Sequence, residues 1–138
     1  MTGRRVVLAD DLSSVLNAVA RLLEGSFEIV GTAANGRLAL EAVRAHDPDL
    51  LVLDISMPEM SGIEVARALK ARGSRTKIVF LSVHEDTDIL ATCQEAGGLG
   101  YVVKVLMDTD LMPAMNAALA GRPFVSQFPS QRDVLNGA

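Results

Sequence analysis

Short runs of consecutive apolar residues alternate along this chain with longer stretches whose apolar residues return every third or fourth position. The runs fall at 5–9, 27–32, 49–54, 77–82 and 100–104. Runs of this length, with few polar interruptions, read as strands buried on both faces. The stretches between them read as amphipathic helices. The first, about 12–24, puts Leu12, Val15, Val19, Leu22 and Leu23 on one stripe, and Gly25 stops it. The second, about 36–46, ends before Pro48. The third, about 60–72, is stopped by Gly73, and the fourth, about 86–96, by Gly97 and Gly98. The fifth, about 109–120, contains Pro113, which fits if Thr109 or Asp110 caps the helix and the proline lies in the first turn.

Five strand–helix pairs predict an α/β fold: a doubly wound, five-stranded parallel sheet with helices on both faces. A closed eight-fold barrel would require about 250 residues, against 138 here. For five strands the leading order is 2-1-3-4-5, with the ligand site at the carboxyl ends of strands 1 and 3. The domain is expected over 4–121. Residues 122–138 show neither period, and Gly121, Pro123 and Pro129 mark them as a linker or tail.

Composition narrows the function. Half the chain is apolar but only 4% is aromatic, so the core must be aliphatic. Met57, Met60, Met107, Met112 and Met115 read as packing residues. A net charge of −4 argues against nucleic-acid binding by this segment. One cysteine, Cys93, excludes an internal disulfide framework. No apolar run approaches the roughly 20 residues of a membrane span, and the first residues do not form a signal peptide. A cytoplasmic location is the expectation.

Against this apolar background the acids stand out. Asp10 and Asp11 end the first strand and Asp54 ends the third, so the predicted topology brings three carboxylates to one sheet edge. Two unit charges about 4 Å apart repel by about 4 kcal/mol at an effective dielectric near 20. Either a pKa rises or a cation binds. With oxygen ligands only, Mg²⁺ is the cation that suits. Ser82 ends the fourth strand and Lys104 the fifth. A hydroxyl and an ammonium beside three acids suggest a site for a phosphoryl group. Each residue has a plainer reading: the acids and Ser82 as helix caps, Lys104 as a solvated chain end, and His84 as a loop histidine in solvent.

These motifs together resemble a two-component response-regulator receiver domain. They are Val7-Leu8-Ala9-Asp10-Asp11; Asp49 to Asp54 with Met57-Pro58-Glu59-Met60-Ser61-Gly62; Val79-Phe80-Leu81-Ser82; and Gly100-Tyr101-Val102-Val103-Lys104. The resemblance covers about 4–121. It implies that Asp54 accepts a phosphoryl group from a sensor histidine kinase. It implies that Asp11, Asp54 and the Ser56 carbonyl bind Mg²⁺, with Asp10 acting through a water. Lys104 and Ser82 would hold phosphoryl oxygens, and Pro58 and Gly62 would shape the loop after the nucleophile. Ser82 and Tyr101 would form the switch, Tyr101 passing from exposed to buried and remodelling the face of helix 4, strand 5 and helix 5. The plainer reading of Tyr101 is a half-exposed edge aromatic.

The tail Gly121-Arg122-Pro123-Phe124-Val125-Ser126 is similar to the junction of regulators that carry a LuxR-type helix-turn-helix domain. The resemblance implies either a receiver excised from a transcription factor, whose DNA-binding domain is not in this segment, or a stand-alone receiver; homodimerisation is open. Two departures from the family are visible. Gly98 stands where alanine is common, which predicts a looser connection into the fifth strand, and Val83 is bulkier than the usual small residue after Ser82. They motivate an alternative, a receiver-like protein-binding module that does not need phosphorylation. A phosphatase of the haloacid-dehalogenase type would require an acid two residues after its nucleophile, where this chain has Ser56. The chain is therefore not expected to be a multiple-turnover enzyme on free substrates.

Overall fold

A computed structural model describes residues 4–129. Its strands are β1 (Arg5–Ala9), β2 (Glu28–Ala33), β3 (Leu50–Asp54), β4 (Lys77–Ser82), β5 (Gly98–Val103) and β6 (Phe124–Val125). Its α-helices are α1 (Ser13–Leu23), α2 (Gly36–His46), α3 (Gly62–Ala71), α4 (Thr87–Glu95) and α5 (Met107–Leu119). The strands form one parallel sheet in the order β2-β1-β3-β4-β5-β6. The doubly wound order is the expected one, but the expectation of five strands is corrected to six. The sixth strand has two residues, too few to show a period, and it lies in the segment read above as a tail.

The sheet separates two apolar layers. Val6, Leu8, Leu50, Val52, Val79 and Leu81 face α1 and α5, while Val7, Leu51, Leu53 and Phe80 face α2, α3 and α4. Residues alternate between the two layers along each strand, as the pleat requires, and both layers are covered. That is why the strands read as continuous apolar runs. Met57, Met60, Met107, Met112 and Met115 sit in these layers as packing residues. Among the described residues no helix is long and apolar enough to cross a membrane.

Helix starts explain the small shifts from the sequence reading. Helix α3 begins at Gly62, not Met60, because Ser61 caps it. The Ser61 hydroxyl accepts from the Glu64 amide at 3.2 Å and donates to the Glu64 carboxylate at 3.3 Å. Helix α4 is capped by Asp86, whose carboxylate accepts from Asp88 and Ile89 amides. At its other end Gly97 takes φ +107°, a conformation glycine adopts without steric cost. Helix α5 departs most. It starts at Met107, directly after a 3₁₀ turn (Lys104–Leu106), and neither Thr109 nor Asp110 caps it. Pro113 therefore lies in its interior, where the ring leaves the Thr109 carbonyl without its usual donor.

Gly98 has a packing role beyond the one expected. It begins β5, and a Cβ there would lie 2.6 Å from the Phe80 ring. The missing side chain makes room for the largest residue of β4.

Candidate functional site at the carboxyl ends of β1, β3, β4 and β5

Register assembles the site. Ala9 pairs with Leu53 across β1 and β3, so the next residues, Asp10 and Asp54, leave the sheet side by side. Asp54 pairs with Leu81, and Ser82 follows it and pairs with Val103, the residue before Lys104. Asp10, Asp54 and Ser82 are buried, while Asp11 is exposed. One carboxylate oxygen from each of Asp10, Asp11 and Asp54 lies within 4.8 Å of the others. Lys104 stands two strands from Asp54, a gap of about 10 Å at roughly 4.8 Å per strand, which its long stem spans. Its Nζ lies 2.9 Å from Asp10 Oδ2 and 3.4 Å from Asp54 Oδ1.

Three carboxylates thus face one ammonium, and the charge is not balanced. Burial and then the neighbouring Asp10 push the Asp54 carboxyl up to about 6, against the pull of Lys104, with a further small push from Asp11. Burial pulls Lys104 down, but its contacts with Asp10 and Asp54 outweigh that and hold it above its ordinary value. Asp10 Oδ1 accepts from the Leu12 amide at 2.9 Å. Asp10 Oδ2 makes a close ion pair with Lys104, yet without the angles of a hydrogen bond, and among the described residues it has no other polar partner. A buried carboxylate oxygen left in this state fits a site that receives a cation or its water shell. The donor set is oxygen only, which suits Mg²⁺.

The capping alternative does not describe these residues. Helix α1 has Leu12 at its cap position with no side-chain cap, α3 is capped by Ser61, and α4 by Asp86. Lys104 is not a solvated end. Ser56 lies exposed on the loop after β3, two residues beyond Asp54. That loop is pressed onto Asp54. The Gly62 amide donates to the Ile55 carbonyl at 2.8 Å, and a Cβ on Gly62 would collide with the Asp54 carbonyl. Glu59 at φ 67° is the strained residue of the same loop. Val83 stands 66% exposed at the rim.

Beyond Ser82 a chain of contacts leads away from the acids. The His84 amide donates to Ser82 Oγ at 3.0 Å, and the His84 carbonyl accepts from the Tyr101 hydroxyl at 2.8 Å. Tyr101 is 1% exposed, so the half-exposed edge aromatic is not what is found. Burial raises its hydroxyl above the ordinary tyrosine value. Sequence reasoning weighed the His84 side chain and missed its backbone, which any residue would supply. It also missed Ser126 and Phe128, both buried, which lie in the presumed tail.

Comparison with known proteins agrees with this geometry. Residues 6–116 match the family model of the response regulator receiver domain. The transcriptional regulatory protein PdtaR of Mycobacterium tuberculosis is 34% identical over 118 residues, which are 85% of this chain and 57% of that protein. A protein-glutamate methylesterase/protein-glutamine glutaminase of a Nocardioides species is 42% identical over 108 residues, 75% of this chain and 30% of that protein. A two-component response regulator of the LuxR family from an Aurantimonas species superposes with a TM-score of 0.86 at 30% identity, covering 96% of each chain. The chain spans little more than half the length of the transcriptional regulators it matches, and its relatives include both gene regulators and an enzyme. With the acids, hydroxyl and lysine in place at the strand ends, the match over most of its length shows that this chain belongs to the response-regulator receiver family.

Proposed function

We propose that the chain is a phosphoacceptor switch with Asp54 as its nucleophile. The observation that carries the reading is the unbalanced charge at Asp54: a buried carboxylate with two acidic neighbours and one lysine. An Asp54 carboxylate oxygen attacks the phosphorus of a phosphohistidine on a sensor histidine kinase. The P–N bond breaks, its electron pair stays on the imidazole, and an acyl phosphate forms. Mg²⁺, when bound, offsets the negative charge of the transferring group. Asp11, Asp54 and the Ser56 carbonyl would hold it, with Asp10 acting through a water. Lys104 leaves its carboxylate partners for a phosphoryl oxygen, and the Ser82 hydroxyl takes another. Ser82 and Tyr101 then bias the α4–β5–α5 face, which controls output in the cytoplasm. Likeness to transcriptional regulators favours gene control as that output, with homodimerisation through this face as one route.

A second reading, a binding module independent of phosphorylation, draws on Tyr101, which is already buried and bonded to His84. It predicts partner binding unchanged by Asp54→Ala.

The test is to incubate the chain with Mg²⁺ and a small-molecule phosphodonor and weigh it. A gain of about 80 Da, one phosphoryl group, is expected in the wild type and not in Asp54→Ala. No gain in the wild type, or an equal gain in the variant, overturns the proposal.

A further inference from the structure

The segment Phe124–Phe128 is built into the edge of the sheet. Gly100 pairs with Phe124 and Tyr101 with Val125, and the Ser126 amide donates to the Tyr101 carbonyl at 2.9 Å. Ser126 Oγ accepts from the Val103 amide at 3.1 Å and donates to Asp110 Oδ2 at 2.7 Å, so this buried hydroxyl has both its donor and its acceptor role filled. Thr109 Oγ1 holds the other Asp110 oxygen at 3.1 Å. Phe124 packs in the α1–α5 layer, whereas Phe128 is buried in the opposite layer with its ring 6.0 Å from that of Tyr101. The segment therefore wraps the β5 edge from one layer to the other.

Its two anchor points have a common origin. Val103 precedes Lys104, which pairs with Asp10 and Asp54. Tyr101 connects through His84 to Ser82. Both residues expected to touch the phosphoryl group are thus two or three steps from the segment, along different routes.

We propose that Phe124–Phe128 is a clasp on β5, in which Ser126 is a positioning residue for the strand end that carries Lys104 and Phe128 holds Tyr101 in its buried place. The clasp itself stands on packing and hydrogen bonds. Its link to phosphorylation rests on the phosphoacceptor reading above. A phosphoryl group that draws Ser82 inward keeps Tyr101 inward and tightens the clasp. By reciprocity, a closed clasp favours the loaded site.

The chain has one tyrosine and no tryptophan, so its intrinsic fluorescence reports Tyr101 alone. In Phe128→Ala, acrylamide quenching of that fluorescence should rise about threefold or more, as buried ring surface opens to solvent. Unchanged quenching overturns the hold on Tyr101. Amide exchange in the native protein tests the other half. Ser126→Ala should speed exchange at Val103 about tenfold, and Ser126→Thr should restore it. Wild-type exchange rates in Ser126→Ala overturn the positioning role. Beryllofluoride with Mg²⁺, a phosphoryl mimic, should slow exchange at Ser126 about tenfold in the wild type. Fluorine NMR scores its binding separately. Bound mimic with unchanged exchange overturns the coupling. Failure to bind the mimic overturns the phosphoacceptor reading and with it the coupling, while the fluorescence and Val103 arms still decide the clasp.

Discussion

The exit and the outer edge of β5 handle buried polarity in opposite ways. Where β5 leaves the sheet, Lys104 meets two buried carboxylates beside the rim residue Asp11, one Asp10 oxygen lacks an aligned donor, and Asp54 is pushed up to about 6. Along the edge of the same strand, Ser126 has both its roles filled and ties Val103 to Asp110. A satisfied network fixes geometry. An unsatisfied one holds a free-energy difference that a bound cation or proton can release. The receiver places the first kind where position must be kept and the second where a ligand must be recognised.

The largest expected effect breaks the unbalanced end outright. In metal-free buffer at pH 8, Lys104→Met leaves Asp10 and Asp54 buried with no cation, which should cost about 3–5 kcal/mol of stability in urea unfolding. The cost should shrink at pH 5, where Asp54 takes up a proton, and on adding Mg²⁺. An equal cost under all three conditions would mean that Lys104 contributes packing and not charge.

Next is the linkage of Asp54 itself. Its carboxyl is raised in the folded state, so the native chain binds the proton more tightly than the unfolded one. Asp54 therefore costs no stability below about pH 3.8, and its cost grows as pH rises through about 6. At 1.36 kcal/mol per pH unit over that window, Asp54→Asn should gain about 3 kcal/mol on the wild type between pH 4 and pH 7 without metal. Mg²⁺ should remove most of the gain. A difference flat with pH would contradict the charge argument.

The satisfied edge is tested by packing. Gly98→Ala should cost about 1–3 kcal/mol, because its Cβ meets the Phe80 ring. Adding Phe80→Leu should recover part of that cost. If Gly98→Ala is neutral, the glycine serves the backbone after all. The smallest effect lies outside both regions. Ser61→Ala removes the α3 cap and should cost about 1 kcal/mol, with phosphoryl labelling unchanged. A large loss of labelling would show that the loop after β3 depends on its cap.

Much of this was legible in the sequence. Strand ends at Asp10, Asp54, Ser82 and Lys104 follow from apolar runs that stop at polar residues, and the strand order brings those ends together. What escaped depends on partners distant in sequence. Gly98 looked like flexibility because nothing near it announces the Phe80 ring it accommodates. Asp110 looked like a helix cap because caps are local, whereas its partner Ser126 lies 16 residues on. Phe124–Val125 is too short to alternate visibly, and Pro123 beside it signalled a break. The role of His84 is carried by its backbone, which no residue identity encodes.

On the proposed reading, the charge left unbalanced at Asp54 marks the residue that is phosphorylated. The direct measurement is to digest the phosphodonor-treated wild type and locate the added mass of about 80 Da, with Mg²⁺ and with a chelator. One phosphoryl group on the peptide containing Asp54, lost when the metal is chelated, is the predicted result. A label on another residue, or one of equal yield without metal, would contradict it.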